Sequence, residues 1–390
     1  MILIDKPYVS DFLINTIKKN HFPIVATPEA RALISDQNLN WITQKAAIKT
    51  IEKNPDTPIY SNSENAINWV NNHFKSSKLP AQIQLFKNKI KFREFIKDIF
   101  PDYFFKGIDY KELSNVSPED LKYPFIIKPA IGFFSVGVHR VDKPEEWSQV
   151  LDKIALEITE IEGLYPDEVI DTTKFIIEAY IEGEEYAIDC YFNKKGEATV
   201  LNILHHIFSS GKDVSDRVYT TSKEIIESHI NNIEHFLNII GTRMGLKNFP
   251  IHIEVRIDQN GKIIPIEVNP LRFGGWCTTG DLSWYAYGIN SYEYYLNEKK
   301  PCWEEIFKSR TGKKYSIIVL DNNSGFKEKD IKHFDYEKLS NDFEKPICLR
   351  KVDFNAYPVF GFIFTENNQD NEKELTTILN SDLRDYIQLK

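Results

Sequence analysis

Hydrophobic and polar positions follow two rhythms along this 390-residue chain. Near its start, the short apolar runs Ile2-Leu3-Ile4 and Phe22-Pro23-Ile24-Val25-Ala26 are separated by a segment, Phe12 to Ile17, with helical spacing. Strand-like runs that alternate with amphipathic helices predict a parallel α/β layer, because parallel strands need a crossover between them. The rhythm continues through Trp41 to Ile51 as a helix, Pro58-Ile59-Tyr60 as a strand and Glu64 to about Phe74 as a helix. Residues 1–86 are therefore expected to form a small α/β domain, with Ser76-Ser77-Lys78-Leu79-Pro80 as punctuation near its end.

In the next helix Ile90, Phe92, Phe95, Ile96 and Ile99 make the apolar stripe, and Lys89, Lys91, Arg93, Lys97 and Asp98 fall on other faces. Most strand patterns lie between Tyr123 and about Tyr295, among them Phe125-Ile126-Ile127, Phe175-Ile176-Ile177 and the alternating stretch from Tyr186 to Tyr191. Pro144 to Glu162 and Glu224 to Gly241 read as helices between them. In the last part, Tyr315 to Leu320 and Tyr357 to Phe364 read as strands and Glu372 to Tyr386 as a helix, which predicts a small α/β appendix over 301–390.

Composition narrows the field. With 48 Lys plus Arg against 57 Asp plus Glu (48 − 57 = −9) and 42% hydrophobic residues, the chain is globular and lacks the basic excess of a nucleic-acid surface. No basic leader precedes an apolar stretch and no window resembles a membrane span, so a cytoplasmic location without membrane or nucleic-acid partners is expected. Cys190, Cys277, Cys302 and Cys348 show no CxxC, which leaves packing or surface thiols. Neither GxGxxG nor a Walker A motif occurs. His205-His206 has no third ligand at useful spacing and reads as structural.

The chemistry concentrates in His252 to Pro270, where two alternating runs flank Asn260-Gly261. A two-residue type I′ turn there would pair Gln259 with Lys262 and set Glu254 opposite Glu267. Paired residues share a face, with Cβ atoms about 4.5–5.5 Å apart, where like charges repel unless something neutralises them. A divalent cation would do so, and Asn269 on the same face adds an amide oxygen. Oxygen-only ligation suits Mg²⁺, with Mn²⁺ as a substitute. Taken alone, such a strand pair reads more readily as a solvated face, since charged side chains mostly sit in water; Arg272-Phe273-Gly274-Gly275, a guanidinium beside flexible backbone, favours the site.

The hairpin resembles the metal-binding end of the ATP-grasp superfamily, in particular the carboxylate–amine ligase branch that includes D-alanine–D-alanine ligase, biotin carboxylase and L-amino-acid ligases. Further elements resemble that family in the right order over about half the chain. Tyr123-Pro124-Phe125-Ile126-Ile127-Lys128-Pro129 is similar to its phosphate-contacting lysine strand, and Asn88-Lys89-Ile90-Lys91-Phe92-Arg93 to its Asp-Lys element. Phe175 to Glu185 is similar to the hinge, where the resemblance assigns Glu178, Ala179, Tyr180 and Ile181 to adenine and Glu185 to the ribose hydroxyls. His252, in His-x-Glu, resembles the amino-acid ligase branch and is placed with Lys128 and Arg272 among the catalytic residues. Two departures stand out. The lid Gly132-Phe133-Phe134-Ser135-Val136-Gly137-Val138 has only two glycines, and Asn269-Pro270-Leu271-Arg272 inserts a residue where the family often has Asn-Pro-Arg.

The resemblance implies an α/β fold, in part α+β: an N-terminal parallel domain over 1–86, an ATP-grasp domain over 87–300 with a lid subdomain about 123–178, and the 301–390 appendix. It implies ATP and Mg²⁺, held by Lys89, Lys128 and the triad Glu254, Glu267 and Asn269. The expected reaction joins a small carboxylate, an amino acid or peptide-like acid, to an amine through an acyl phosphate, releasing ADP and phosphate. A non-amine acceptor, or an ATP-binding sensor without turnover, is the alternative. Phe208 to Asp213 and Trp276 to Tyr285 are candidates to line the acceptor region, and the appendix either closes over substrate or forms a homodimer.

Overall fold

The computed structural model describes residues 1–132, 137–161, 171–211, 213 and 215–390. The first layer is a four-stranded parallel sheet of β1 (Ile2–Leu3), β2 (Ile24–Val25), β3 (Trp41–Ile42) and β4 (Tyr60–Ser61) in the order β3-β2-β1-β4. Its crossover helices start where the sequence supplies an oxygen acceptor: Ser10, Thr27 and Thr43 each cap a following helix. Trp41-Ile42 is a strand rather than the start of a helix; the helix begins at Gln44, after the Thr43 cap.

The second sheet, in the order β5-β8-β6-β7, contains β5 (Phe105–Asp109), β6 (Phe125–Ile131), β7 (His139–Val141) and β8 (Asp171–Ala179), all antiparallel. With the helix Trp147–Ile161 it encloses its own core around Phe125, Ile127, Trp147, Ile154, Phe175 and Ile177. Phe133, Phe134, Ser135 and Val136 of the expected lid, and Glu162 at the expected helix end, lie outside the described residues, as does Lys212 of the expected acceptor region.

The third sheet is the frame of the molecule. β9 (Glu184–Phe192), β10 (Ala198–Ile207), β11 (Val218–Ser222), β12 (Phe249–Ile257), β13 (Ile263–Pro270) and β14 (Lys313–Asp321) belong to it. Beside them β15 (Ile331–Phe334) pairs with β18 (Ile387–Leu389) as a separate ribbon, while β16 (Pro346–Lys351) and β17 (Val359–Asn368) complete the eight-stranded order β13-β12-β9-β10-β11-β14-β17-β16. Three strands of the C-terminal region thus extend the sheet that carries the metal-type hairpin. The predicted helix from Glu372 to Tyr386 is shorter, Lys373–Leu379; it ends at Asn380, and left-handed Leu383, at φ 63°, then opens a separate 3₁₀ turn. The long helix Lys223–Met244, capped by Ser222 and ended by left-handed Gly245, packs across β10. One apolar core joins the first layer to the third sheet.

Two local details set the register. Gly261, at φ 78°, donates to the Asp258 carbonyl, and Asp258 pairs with Lys262, so the hairpin loop has three residues and the expected Gln259–Lys262 pairing does not form. A bulge between Glu254 and Val255 then shifts the ladder back by one residue and restores Glu254 opposite Glu267. At the hinge between β8 and β9, Gly183 has φ 114°, and a Cβ there would lie 2.3 Å from the Ile257 carbonyl oxygen, so only glycine lets the two chains approach.

Candidate active site

Alternation places His252, Glu254 and Arg256 on one face of β12, and pairing extends each into a row across neighbouring strands. The first row is Asn269, His252, Asp189 and Asn202; the second is Glu267, Glu254, Ala187 and Leu204; the third is Arg256, Glu185, His206 and Tyr219. Residues far apart in sequence therefore meet through sheet register alone.

In the second row the two carboxylates are 20% exposed each and face one another. Glu267 accepts from Lys89 Nζ at 3.0 Å and from Asn269 Nδ2 at 3.2 Å. Burial works to raise its pKa, but Lys89, then Lys128 and Lys87, outweigh it and hold the group ionised. Glu254 moves the other way, raised by burial first and by the charge of Glu267 second. Two acids whose titrations are driven apart share a place that suits a cation, since a dication would stabilise both ionised forms at once. Among the described residues no group of three or more His, Cys, Asp or Glu is placed to hold a metal, so the fit rests on this pair with Asn269 beside it.

The lysines converge on the same face from other elements. Asn88 caps the helix Lys89–Phe95 and sets Lys89 in its first turn, with Nζ 3.4 Å from the Gly132 carbonyl oxygen. Lys128 on β6 meets Glu178 on β8 at 2.7 Å, and Glu178 also accepts from Arg93 Nε at 2.7 Å. Burial opposes ionisation of Glu178, yet Arg93 and Lys128 bring its pKa down to about 2; burial also lowers that of Lys128. Lys89 and Arg93 were expected off the apolar stripe, and the structure buries both.

At the hinge, Ala179 and Tyr180 donate their N–H groups to the Phe104 and Pro124 carbonyls at 3.0 and 3.2 Å. The Ala179 carbonyl accepts from Tyr103 Oη at 2.9 Å, and that of Ile181 from Arg256 Nη1 at 2.9 Å. The Glu185 oxygens accept separately, one from His206 Nδ1 at 2.9 Å and the other from Arg256 Nε at 3.1 Å.

His252 is held from behind. Its Nδ1 lies 2.7 Å from Asp189 Oδ1 and its Nε2 3.6 Å from Glu254 Oε1. Burial lowers its pKa, but hydrogen bonds to Asp189 and Glu254 raise it overall to about 9. Asp189 also accepts from Gly274 N at 3.1 Å and Thr279 Oγ1 at 2.5 Å, which ties His252 to the glycine turn. The inserted Leu271 takes φ 62°, and its carbonyl accepts from Ser61 N at 2.7 Å, docking the strand end on the first sheet. Arg272 then pairs with Glu64, Nη2 at 2.5 Å and Nε at 3.1 Å, and Lys87 holds the other oxygen of Glu64.

Sequence reading missed Arg93, Glu64, Lys87, Asp189, Arg256 and His206. A signal existed for Arg93, four residues after Lys89 on one helix face, and for Asp189, inside an alternating strand. Glu64 lies 208 residues from Arg272 and gave none.

The lysine strand, the hinge and the carboxylate hairpin all lie within residues 121–280, which match the family profile of the ATP-grasp domain. The chain therefore carries an ATP-grasp domain on the ATP-grasp fold, a fold associated with ATP and Mg²⁺. Crystal structures with similar folds include an L-amino acid ligase from Bacillus licheniformis, with 19% identity, TM-score 0.66, and coverage of 100% of this chain and 98% of that one. Biotin carboxylase from Campylobacter jejuni matches with 14% identity, TM-score 0.63, and coverage of 100% and 91%. N5-carboxyaminoimidazole ribonucleotide synthetase from Thermotoga maritima matches with 15% identity, TM-score 0.63, and coverage of 100% and 98%. No curated protein matches the chain in sequence. Among the described residues no helix is long and apolar enough to cross a membrane.

Proposed function

We propose that this chain is an ATP-dependent carboxylate–amine ligase that joins an amino acid or small peptide-like acid to an amine. The observation that carries the reading is the Glu254–Glu267 pair, set face to face by the ladder with Lys89 and Lys128 beside it. Glu254, Glu267 and Asn269 would hold Mg²⁺, which when bound would neutralise triphosphate charge. Lys128 would leave Glu178, and Lys89 would leave Glu267, to pair with phosphate oxygens. The hinge from Glu178 to Ile181 would hold adenine and Glu185 the ribose.

A ligase must make a carboxylate electrophilic, and here that means attack of the substrate carboxylate on the γ-phosphorus. The P–O bond to ADP breaks as the new one forms, and lysine charge offsets the repulsion between the two anions. An amine then attacks the acyl carbon, the C–O bond to phosphate breaks, and the departing phosphate takes up the proton that the amine sheds. His252, held through Nδ1 by Asp189, would act beside the reacting carbonyl, and Arg272, with Glu64 fixing its guanidinium, would bind the acyl phosphate. The C-terminal strands, continuous with the site sheet, place Arg350 against the Trp276 carbonyl at 2.7 Å and Asp281 at 2.6 Å, which fits an acceptor wall built partly from residues 301–390.

The test is ADP release from ATP with a panel of carboxylates and amines. Release that requires one member of each set, with amide found by mass, supports the reading. ATP turnover that needs neither, or a product ester or thioester, removes it.

A further inference from the structure

His206 was read from sequence as half of a structural His pair, yet its surroundings are specific. Its side chain is 2% exposed and both ring nitrogens face acceptors: Nδ1 lies 2.9 Å from Glu185 Oε1, and Nε2 lies 2.9 Å from the Ser215 carbonyl oxygen. A neutral imidazole has one N–H and one lone pair, so in this setting it would turn a lone pair onto an oxygen. Only the imidazolium satisfies both contacts. The ring stacks on Tyr219 with centroids 4.1 Å apart at 18°, and Phe208 covers it at 4.0 Å, as suits a buried cation.

The groups facing His206 agree. Glu185 comes from β9, Asp216 and Tyr219 from β11 and the turn before it, and Glu254 from β12, with Arg256 on the far side of Glu185. Burial disfavours the charge, while Glu185, Asp216 and Glu254 favour it and raise the pKa overall. The row Arg256, Glu185, His206 and Tyr219 thus gives each Glu185 oxygen one N–H donor from opposite sides. Each oxygen keeps a second acceptor direction. Arg256 also binds Tyr180 Oη at 2.6 Å, which joins the row to the hinge.

We propose that His206 is a positioning residue for nucleotide binding: as an imidazolium it fixes Glu185 as a rigid, ionised acceptor for the two hydroxyls of a nucleotide ribose. The inference rests on the nucleotide-binding reading above. It gives the His pair a purpose that metal spacing could not supply, and it makes ribose discrimination depend on a residue that does not touch the ribose.

The experiment compares the affinities of ATP and 2′,3′-dideoxy-ATP, with Mg²⁺, for the intact wild-type chain, His206→Phe and His206→Gln. Phe keeps the stacking without donors, and Gln keeps one donor without charge. Loss of a charge-assisted contact on this scale is worth about tenfold or more in affinity. ATP is expected to bind His206→Phe about tenfold more weakly, with the dideoxy analogue nearly unchanged and Gln in between. In turnover the KM for ATP rises while kcat holds. Independently, ¹⁵N NMR of the wild type at pH 7, assigned by the signals missing in His206→Gln, should show both His206 nitrogens protonated. A neutral imidazole at pH 7, or an ATP-to-dideoxy ratio equal in all three proteins, overturns the proposal. A wild type that binds neither nucleotide overturns the nucleotide reading as well.

Discussion

Glu64→Gln removes the charge that joins the first layer to the end of the hairpin. Glu64 is 8% exposed and accepts from Lys87 on one oxygen and from Arg272 on the other. Burial opposes its ionisation, but Lys87 and Arg272 prevail and bring its pKa to about 2 from an ordinary 4.5. A displacement of that size corresponds to about 3 kcal/mol of stability. Breaking a buried pair from one side costs about 3–5 kcal/mol, so the two routes agree. Spread over a chain of this length unfolding as one unit, that is roughly 4–6 °C in melting temperature.

The pH dependence gives the sharper check. Because the folded pKa lies below the unfolded one, the contribution of Glu64 is complete above pH 4.5 and is lost as pH falls toward 2. Urea unfolding of wild type and Glu64→Gln from pH 7 to pH 3 should show a constant gap that narrows below about 4.5. Equal stability at pH 7, or a gap that stays flat or widens on acidification, would refute the argument.

Other variants probe separate parts of the account. Glu178→Gln leaves Arg93 and Lys128 facing each other without their shared anion, so stability should fall by about 3 kcal/mol at pH 7 in chemical denaturation, with the same narrowing in acid. Asp189→Asn replaces an acceptor of His252, Gly274 and Thr279 by an amide; kcat should fall at least about tenfold with the KM for ATP little changed, and an unchanged kcat would release His252 from its role. Gly183→Ala puts a methyl group against the Ile257 carbonyl at a left-handed φ and should lower stability by about 1–3 kcal/mol, read as a lower melting temperature.

Much of this architecture was legible because it follows periodicity. The α/β rhythm near the start and the strand candidates between Tyr123 and Tyr295 follow from spacing along the chain. The hairpin shows the limit. Asn260-Gly261 suggested a two-residue turn, the chain made a three-residue loop, and a bulge at Glu254 cancelled the difference. The extra residue sits on the edge strand β13 between Pro265 and Glu267, while β12 keeps an unbroken ladder with β9, and nothing in the alternation of the two runs marks it. Lys128 and Lys89 were visible as family-like elements, but their resting partners Glu178 and Glu267 were not, since the first pair forms across two strands that meet only through sheet register and the second between a helix and the hairpin. Arg350 closing on Asp281 and Trp276 had no signal for the same reason: its neighbours arrive only when β16 joins the site sheet.

A structure of the chain soaked with Mg²⁺ and a non-hydrolysable ATP analogue tests the central claim most directly. Metal density between Glu254 and Glu267, with the analogue's phosphates on the metal and on Lys128, is the predicted result. A metal elsewhere, or phosphates bound while Lys128 stays on Glu178 and Lys89 on Glu267, would contradict it.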